Sequence, residues 1–207
     1  MHALPHATCT RDRDAAMCAA PFPGTSRMTP RRLFATCALL VALPFTHAHA
    51  TPAQVQALQQ VNRDIWEPFV RGVGDFDEAA WSGVRSRDFV MVQRGKPQFL
   101  DHDFYIEDSA KVMRELKQAG TRLALEVRFE ERMTDGEYSS ERGLVRTTMT
   151  EAGKPARTFH SRFHAISRLE HGHWRVLTEY RTPAGPDAEQ AWSAAFPMAS
   201  VAATLKE

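Results

Sequence analysis

Apolar residues recur along the chain first at a helical and then at a strand period. Val55, Leu58, Val61, Ile65 and Phe69 return at intervals of three and four, and Trp66 widens the stripe, so a helix opens the segment. Pro68 lacks a backbone donor and predicts that the regular helix ends or kinks near Glu67; Gly72 and Gly74 then break the chain. Asp75 followed by Glu78 approximates a capping box for a short second helix through Trp81 and Val84. The period then drops to two. Asp88–Val92 reads as a strand closed by a turn at Arg94–Pro97. A third helix spans Asp103–Ala119, with Ile106, Ser109, Ala110, Met113 and Leu116 on one face and Gly120 as its stop. From Thr121 the pattern is antiparallel sheet: Leu123, Leu125, Val127 and Phe129 alternate with charged residues. Asp135-Gly136 turns into Tyr138–Thr150, and Gly153–Pro155 turns again. Phe159–Leu169 and Trp174–Thr182 form a last hairpin joined at Glu170–His173. Pro183–Pro186 ends the sheet, yet Trp192, Phe196, Met198, Val201 and Leu205 keep the final segment apolar.

The stretch before the first helix has another character. Arg31 and Arg32 precede an apolar run from Leu33 to Leu43, and Ala48-His49-Ala50 follows, which is the layout of a cleaved export signal. The run falls far short of the roughly 20 residues that span a bilayer, so no stable membrane anchor is expected. Residues 1–27 carry no pattern and read as an extension upstream of a true start at Met28; 28–50 read as the signal, cleaved near Ala50 by the general secretory or the twin-arginine route. The mature protein, periplasmic or secreted, then starts at Thr51 and has 157 residues, enough for one core. Setting aside five arginines and two aspartates before Thr51 leaves a formal net charge of −2, which gives no reason to expect nucleic acid as a partner. Cys9, Cys18 and Cys37 all precede Ala50, so the mature domain has no disulfide, thiolate nucleophile or cysteine-bound metal.

Three segments carry a family likeness: Asp75–Trp81 running into Asp88–Val92, Gly95-Lys96 followed by Asp103–Ala119, and Arg162–Leu177 with Gly172 and Trp174 two apart. Together with the order of elements, they resemble the nuclear transport factor 2-like superfamily, in particular its SnoaL-like branch. The likeness covers Val55–Thr182, which places a domain at 51–182 and leaves 183–207 as a C-terminal extension. It implies an α+β fold: a cone-shaped, strongly curved antiparallel sheet wrapped around three N-terminal helices, with a small-molecule pocket inside.

Histidine spacing argues against a metal. On a strand, His160 and His164 lie about 13 Å apart. They share a face with Arg162 and Arg168 that points to solvent or another subunit. His171 and His173 are turn polarity, and Asp101 and Asp103 cap the third helix. If Ser161 and Phe163 point inward, their paired strand contributes Thr178 and Tyr180; Trp66, Phe69, Phe89, Met91 and Tyr105 complete an aromatic lining for a flat apolar ligand. Enzymes of the superfamily place an acid–base pair inside the cone, and the nearest candidates are Asp88, Tyr105, Glu141 and Tyr180. The expected function is thus an exported module that binds a small apolar molecule, without metal or cofactor. The alternative is a cofactor-independent isomerase, cyclase or lyase; a weaker one is a domain docking a periplasmic protein. By the likeness, a homodimer is expected through the outer sheet face, with His160, Arg162 and His164 beside Ile166 at the contact.

Overall fold

The computed structural model describes residues 50–94 and 99–205. The export signal, the upstream extension and the turn Gly95–Pro97 lie outside these residues.

Thr51 caps the first helix through a full capping box: it accepts from the Gln54 amide, and the Gln54 side chain accepts from the Thr51 amide at 2.9 Å. Helix α1 is Pro52–Val61. A single π turn, Asn62–Trp66, follows, and α2 runs Glu67–Asp75. The helix therefore does not end near Glu67. The wider turn, in which the Glu67 amide reaches back to the Asn62 carbonyl, directly precedes Pro68, whose missing donor needs no partner at the start of α2. It also brings Asn62, Ile65 and Trp66 inward together. The next cap differs from expectation as well. Phe76, left-handed at φ 56°, closes α2, and Asp77 rather than Asp75 accepts from the Ala80 amide at 3.1 Å to start α3, Glu78–Ser82.

Strand β1 is Arg85–Gln93, β2 is Leu100–Asp101, and α4 is His102–Gln118, capped by Asp101 with its carboxylate 2.9 Å from the Phe104 amide. Strands β3 (Arg122–Thr134), β4 (Tyr138–Thr150), β5 (Arg157–Glu170) and β6 (His173–Pro183) form the body of the sheet. His171 and Gly172, both at positive φ, make the tight turn between β5 and β6. The sheet order is β2-β1-β6-β5-β4-β3, with β7 (Phe196–Pro197) on the far edge. All pairings are antiparallel except β1 with β6, whose long intervening chain permits a parallel partner.

Two bulges change which side chains face inward. Glu130 is an extra residue opposite Gly143-Arg142, so Arg132 and Thr134 turn into the core and Met133 turns out. A Cβ on Gly143 would lie 2.1 Å from the Arg128 carbonyl, so the bulge needs glycine there. Leu177 is the extra residue of β6: Trp174 and Val176 point in before it, Glu179 and Arg181 after it. The helices pack on the inner face, where Trp66 meets Phe163 at 4.8 Å and Phe129 at 5.4 Å between ring centroids. Each large apolar side chain fully buried in this way contributes about 1.5–3 kcal/mol.

The C-terminal segment packs against the sheet. Helix α5, Ala188–Ala194, lays Trp192 on the outer face against Leu144, β7 extends the edge at β3, and α6 (Val201–Thr204) packs near α1. Among the described residues, no helix is long and apolar enough to cross a membrane.

Candidate functional site

Helix α4 presents Tyr105, Asp108, Ser109, Val112 and Met113 along one face, the spacing of successive turns. That face stands across from Phe69 and Val73 of α2, Trp81 of α3, and Leu125, Thr147 and Arg181 of the sheet. Together they line a cavity of about 260 Å³ that is open to solvent on one side. Its walls are mostly apolar and its charged groups few, the usual make-up of a small-molecule site.

Polar groups gather at its sheet side. Glu179 is buried, and its Oε1 accepts from Arg181 Nε at 2.8 Å and from a terminal nitrogen of the same guanidinium. Burial alone would pull the Arg181 guanidinium down, but the Glu179 carboxylate outweighs it and holds the group above its ordinary value. Arg181 also borders a second hollow, beside Phe159 and Ser161. Behind the wall lies Arg85, also buried. Its guanidinium carbon is 4.8 Å from the Tyr105 ring centroid, 5.3 Å from Phe89, 5.5 Å from Phe69 and 5.8 Å from Trp81. It donates to the Trp81 carbonyl and, at 3.3 Å, to the Tyr105 hydroxyl.

The candidate residues fall in different places. Phe69 and Tyr105 line the cavity, and Ser161 lines the neighbouring hollow. Trp66, Phe89, Met91 and Phe163 are almost wholly buried in the core. Thr178 and Tyr180, expected in the lining, do not reach it. The Leu177 bulge turns both to the outer face, where the Thr178 hydroxyl donates to the Val90 carbonyl at 3.0 Å and Tyr180 is 43% exposed.

The four acid–base candidates do not converge. Asp88 is on the surface, 70% exposed and paired with Arg168 at 2.9 Å. Glu141 is fully buried and away from the cavity lining. It accepts from Arg132 Nε at 2.7 Å and from the Trp66 indole at 3.0 Å, while Arg132 also donates to Asn62 Oδ1 at 2.8 Å. Burial pushes the Glu141 carboxyl up, against the pull of Arg132 and Trp66. Tyr105 alone of the four faces the cavity.

Among the described residues, no three His, Cys, Asp or Glu side chains are placed to share a metal ion. His173 instead sits 3.8 Å from Asp64, whose carboxylate accepts from the Trp174 amide at 2.9 Å and ties the last hairpin to the first helix. His164 bonds Ser140 at 2.9 Å on the outer face. Arg181, Glu179 and Arg85 were not foreseen as site residues. The place of Ser109 on the apolar face of α4 was the one available signal for it, and Val112 lies beside that face.

No protein-family model matches this sequence, and no curated protein matches it. Solved structures do. An NTF2-like protein with a cystatin-like fold from Novosphingobium aromaticivorans superposes with a TM-score of 0.54 at 13% identity, over 66% of this chain and 89% of its own. A conserved protein from Planctomyces limnophilus gives 0.53 at 16% identity, over 62% and 98%. The beta subunit of the benzoate 1,2-dioxygenase from Burkholderia mallei gives 0.50 at 14%, over 66% and 93%. The chain has the nuclear transport factor 2-like fold, a cone-like α+β arrangement of helices on a curved mixed sheet. At these identities the likeness defines the fold and not the activity.

Proposed function

We propose that this protein is an exported module that binds a small molecule with a flat apolar body in the cavity beneath α4. The observation that carries the reading is the open-mouthed apolar hollow itself: Phe69, Trp81, Tyr105 and Met113 line a space of about 260 Å³, room for a single aromatic ligand. The scattering of Asp88, Glu141 and Tyr180 favours binding over the acid–base alternative, because a proton shuttle needs its groups within hydrogen-bond reach of one substrate. N-phenyl-1-naphthylamine, a neutral probe that fluoresces in apolar surroundings, tests this. Its emission rises on addition of the wild-type protein, and Ser109→Trp, which fills the cavity from α4, abolishes the rise with little change in melting temperature. An equal rise with Ser109→Trp overturns the reading.

The export half of the proposal rests on the signal-like stretch and on the position of the first cap. Thr51 follows Ala50 directly, and cleavage there leaves the Thr51–Gln54 capping box whole. N-terminal sequencing of the exported product is expected to begin at Thr51; a cytoplasmic product retaining Met1 overturns it. A homodimer through the outer face also belongs to this reading, and a neighbour that is an enzyme subunit supports association. The proposed contact is narrower than the sequence-based one. Asp187 and helix α5 cover Arg162 and His160, leaving His164, Ile166 and Tyr180 as the open strip.

A further inference from the structure

The charges withdrawn from solvent around the cavity do not cancel. Arg85 and Arg181 bring two buried or half-buried cations, and Glu179 is the one carboxylate that pairs with either. Among the described residues, Arg85 has no carboxylate within salt-bridge distance. It is held by four aromatic faces and two neutral oxygens, and its Nε has no hydrogen-bond partner. A buried cation is costly unless an opposite charge answers it, and an aromatic box answers only in part. The remaining carboxylate of the cavity, Asp108, is exposed on α4 and solvated.

Two donors are free to meet an anion. Arg181 commits Nε and Nη2 to Glu179, and its other terminal nitrogen has no partner among the described residues. The Tyr105 hydroxyl accepts from Arg85, which leaves its own proton to give. Both side chains line the cavity. One excess positive charge among the buried and half-buried groups, one guanidinium edge and one phenol suit a monoanion with two oxygens; a phosphate dianion would need more donors than the apolar walls supply.

We propose that the ligand of this cavity is a carboxylate, its apolar body against Phe69, Trp81 and Met113 and its anionic group on Arg181 and Tyr105. The proposal rests on the small-molecule reading above and goes beyond it in chemical class. Isothermal titration of the wild-type protein with 2-naphthoate and with 2-naphthamide, nearly equal in shape and different in charge, tests it. Naphthoate is expected to bind at least tenfold more tightly. The double variant Arg181→Gln/Glu179→Gln, which removes the cation without stranding a buried carboxylate, is expected to lose the preference for naphthoate over naphthamide. Equal affinity of the two probes for the wild type overturns the carboxylate assignment while the cavity reading stands. A preference that survives either the double variant or Ser109→Trp places the anion elsewhere and overturns it too. Binding of neither probe defeats both readings.

Discussion

Replacing Arg132 with alanine is expected to destabilise the fold by about 3–5 kcal/mol, seen as a large fall in the urea midpoint. Arg132 and Glu141 have fully buried side chains and pair with each other, and the charge of each is tolerable only because of the other. Without the guanidinium, Glu141 keeps the Trp66 indole as its donor, and Asn62 loses the bond to its side-chain oxygen. The variant is also expected to gain a pH dependence of definite sign. Burial already holds the Glu141 carboxyl above its ordinary 4.5, and removing Arg132 takes away the largest opposing pull. A carboxyl raised in the folded state contributes stability fully below its unfolded value and loses it as pH rises through the folded value. Arg132→Ala should therefore be closer to the wild type at pH 5 than at pH 8. The double variant Arg132→Met/Glu141→Leu should recover most of the loss, because two packed apolar side chains need no counter-charge. A loss under 1 kcal/mol in the single variant would show that the pair is not what closes this end of the core.

The elements of the fold were legible where one physical signal dominated. The stripe from Val55 to Phe69 marks a helix because side chains on the wrong face would have nothing to pack against. Asp101 and Gly120 mark the ends of α4 because free amides and a left-handed residue have few other solutions. The resemblance to the nuclear transport factor 2-like fold rested on the order of such elements, and that order is what the structure has. The inward-facing polar residues were harder to read because they depend on two single-residue insertions, one beside the cavity and one in the core. Trp174, Val176, Thr178 and Tyr180 alternate without a break, so nothing in composition marks Leu177 as the point where β6 changes face. Glu130 likewise looks like one more polar residue on a wet face, yet it is what sends Arg132 inward. A bulge is settled by the partner strand and by the space beside it, here the lack of a side chain at Gly143. The same applies to Pro68. Its missing donor was evident, but the answer to it, a widened turn one step earlier, depends on packing Trp66 against Phe129 and Phe163.

Replacing Trp192 with alanine is expected to cost about 3–5 kcal/mol, roughly 10 °C in melting temperature for a domain of this size, although the residue lies in the C-terminal segment that follows the last long strand. The indole is buried on the outer sheet face between the guanidinium groups of Arg128 at 4.8 Å and Arg146 at 4.5 Å, with the His160 ring 5.5 Å away. Arg128 also donates to the Trp192 carbonyl at 3.0 Å, and Arg162 reaches Asp187 at 2.9 Å just ahead of α5. The extension thus covers with the chain's own residues part of the surface on which a second copy was expected to lie, at His160 and Arg162. Two consequences can be separated. Loss of packing lowers the melting temperature of Trp192→Ala whatever the assembly. Release of α5 uncovers Leu144 and His160 beside the open strip of His164, Ile166 and Tyr180, so the variant should associate at lower concentration than the parent by light scattering. If the melting temperature falls while the concentration dependence of the mass stays that of the parent, then α5 stabilises the sheet without competing with a partner. If neither changes, Trp192 does not hold the extension to this face.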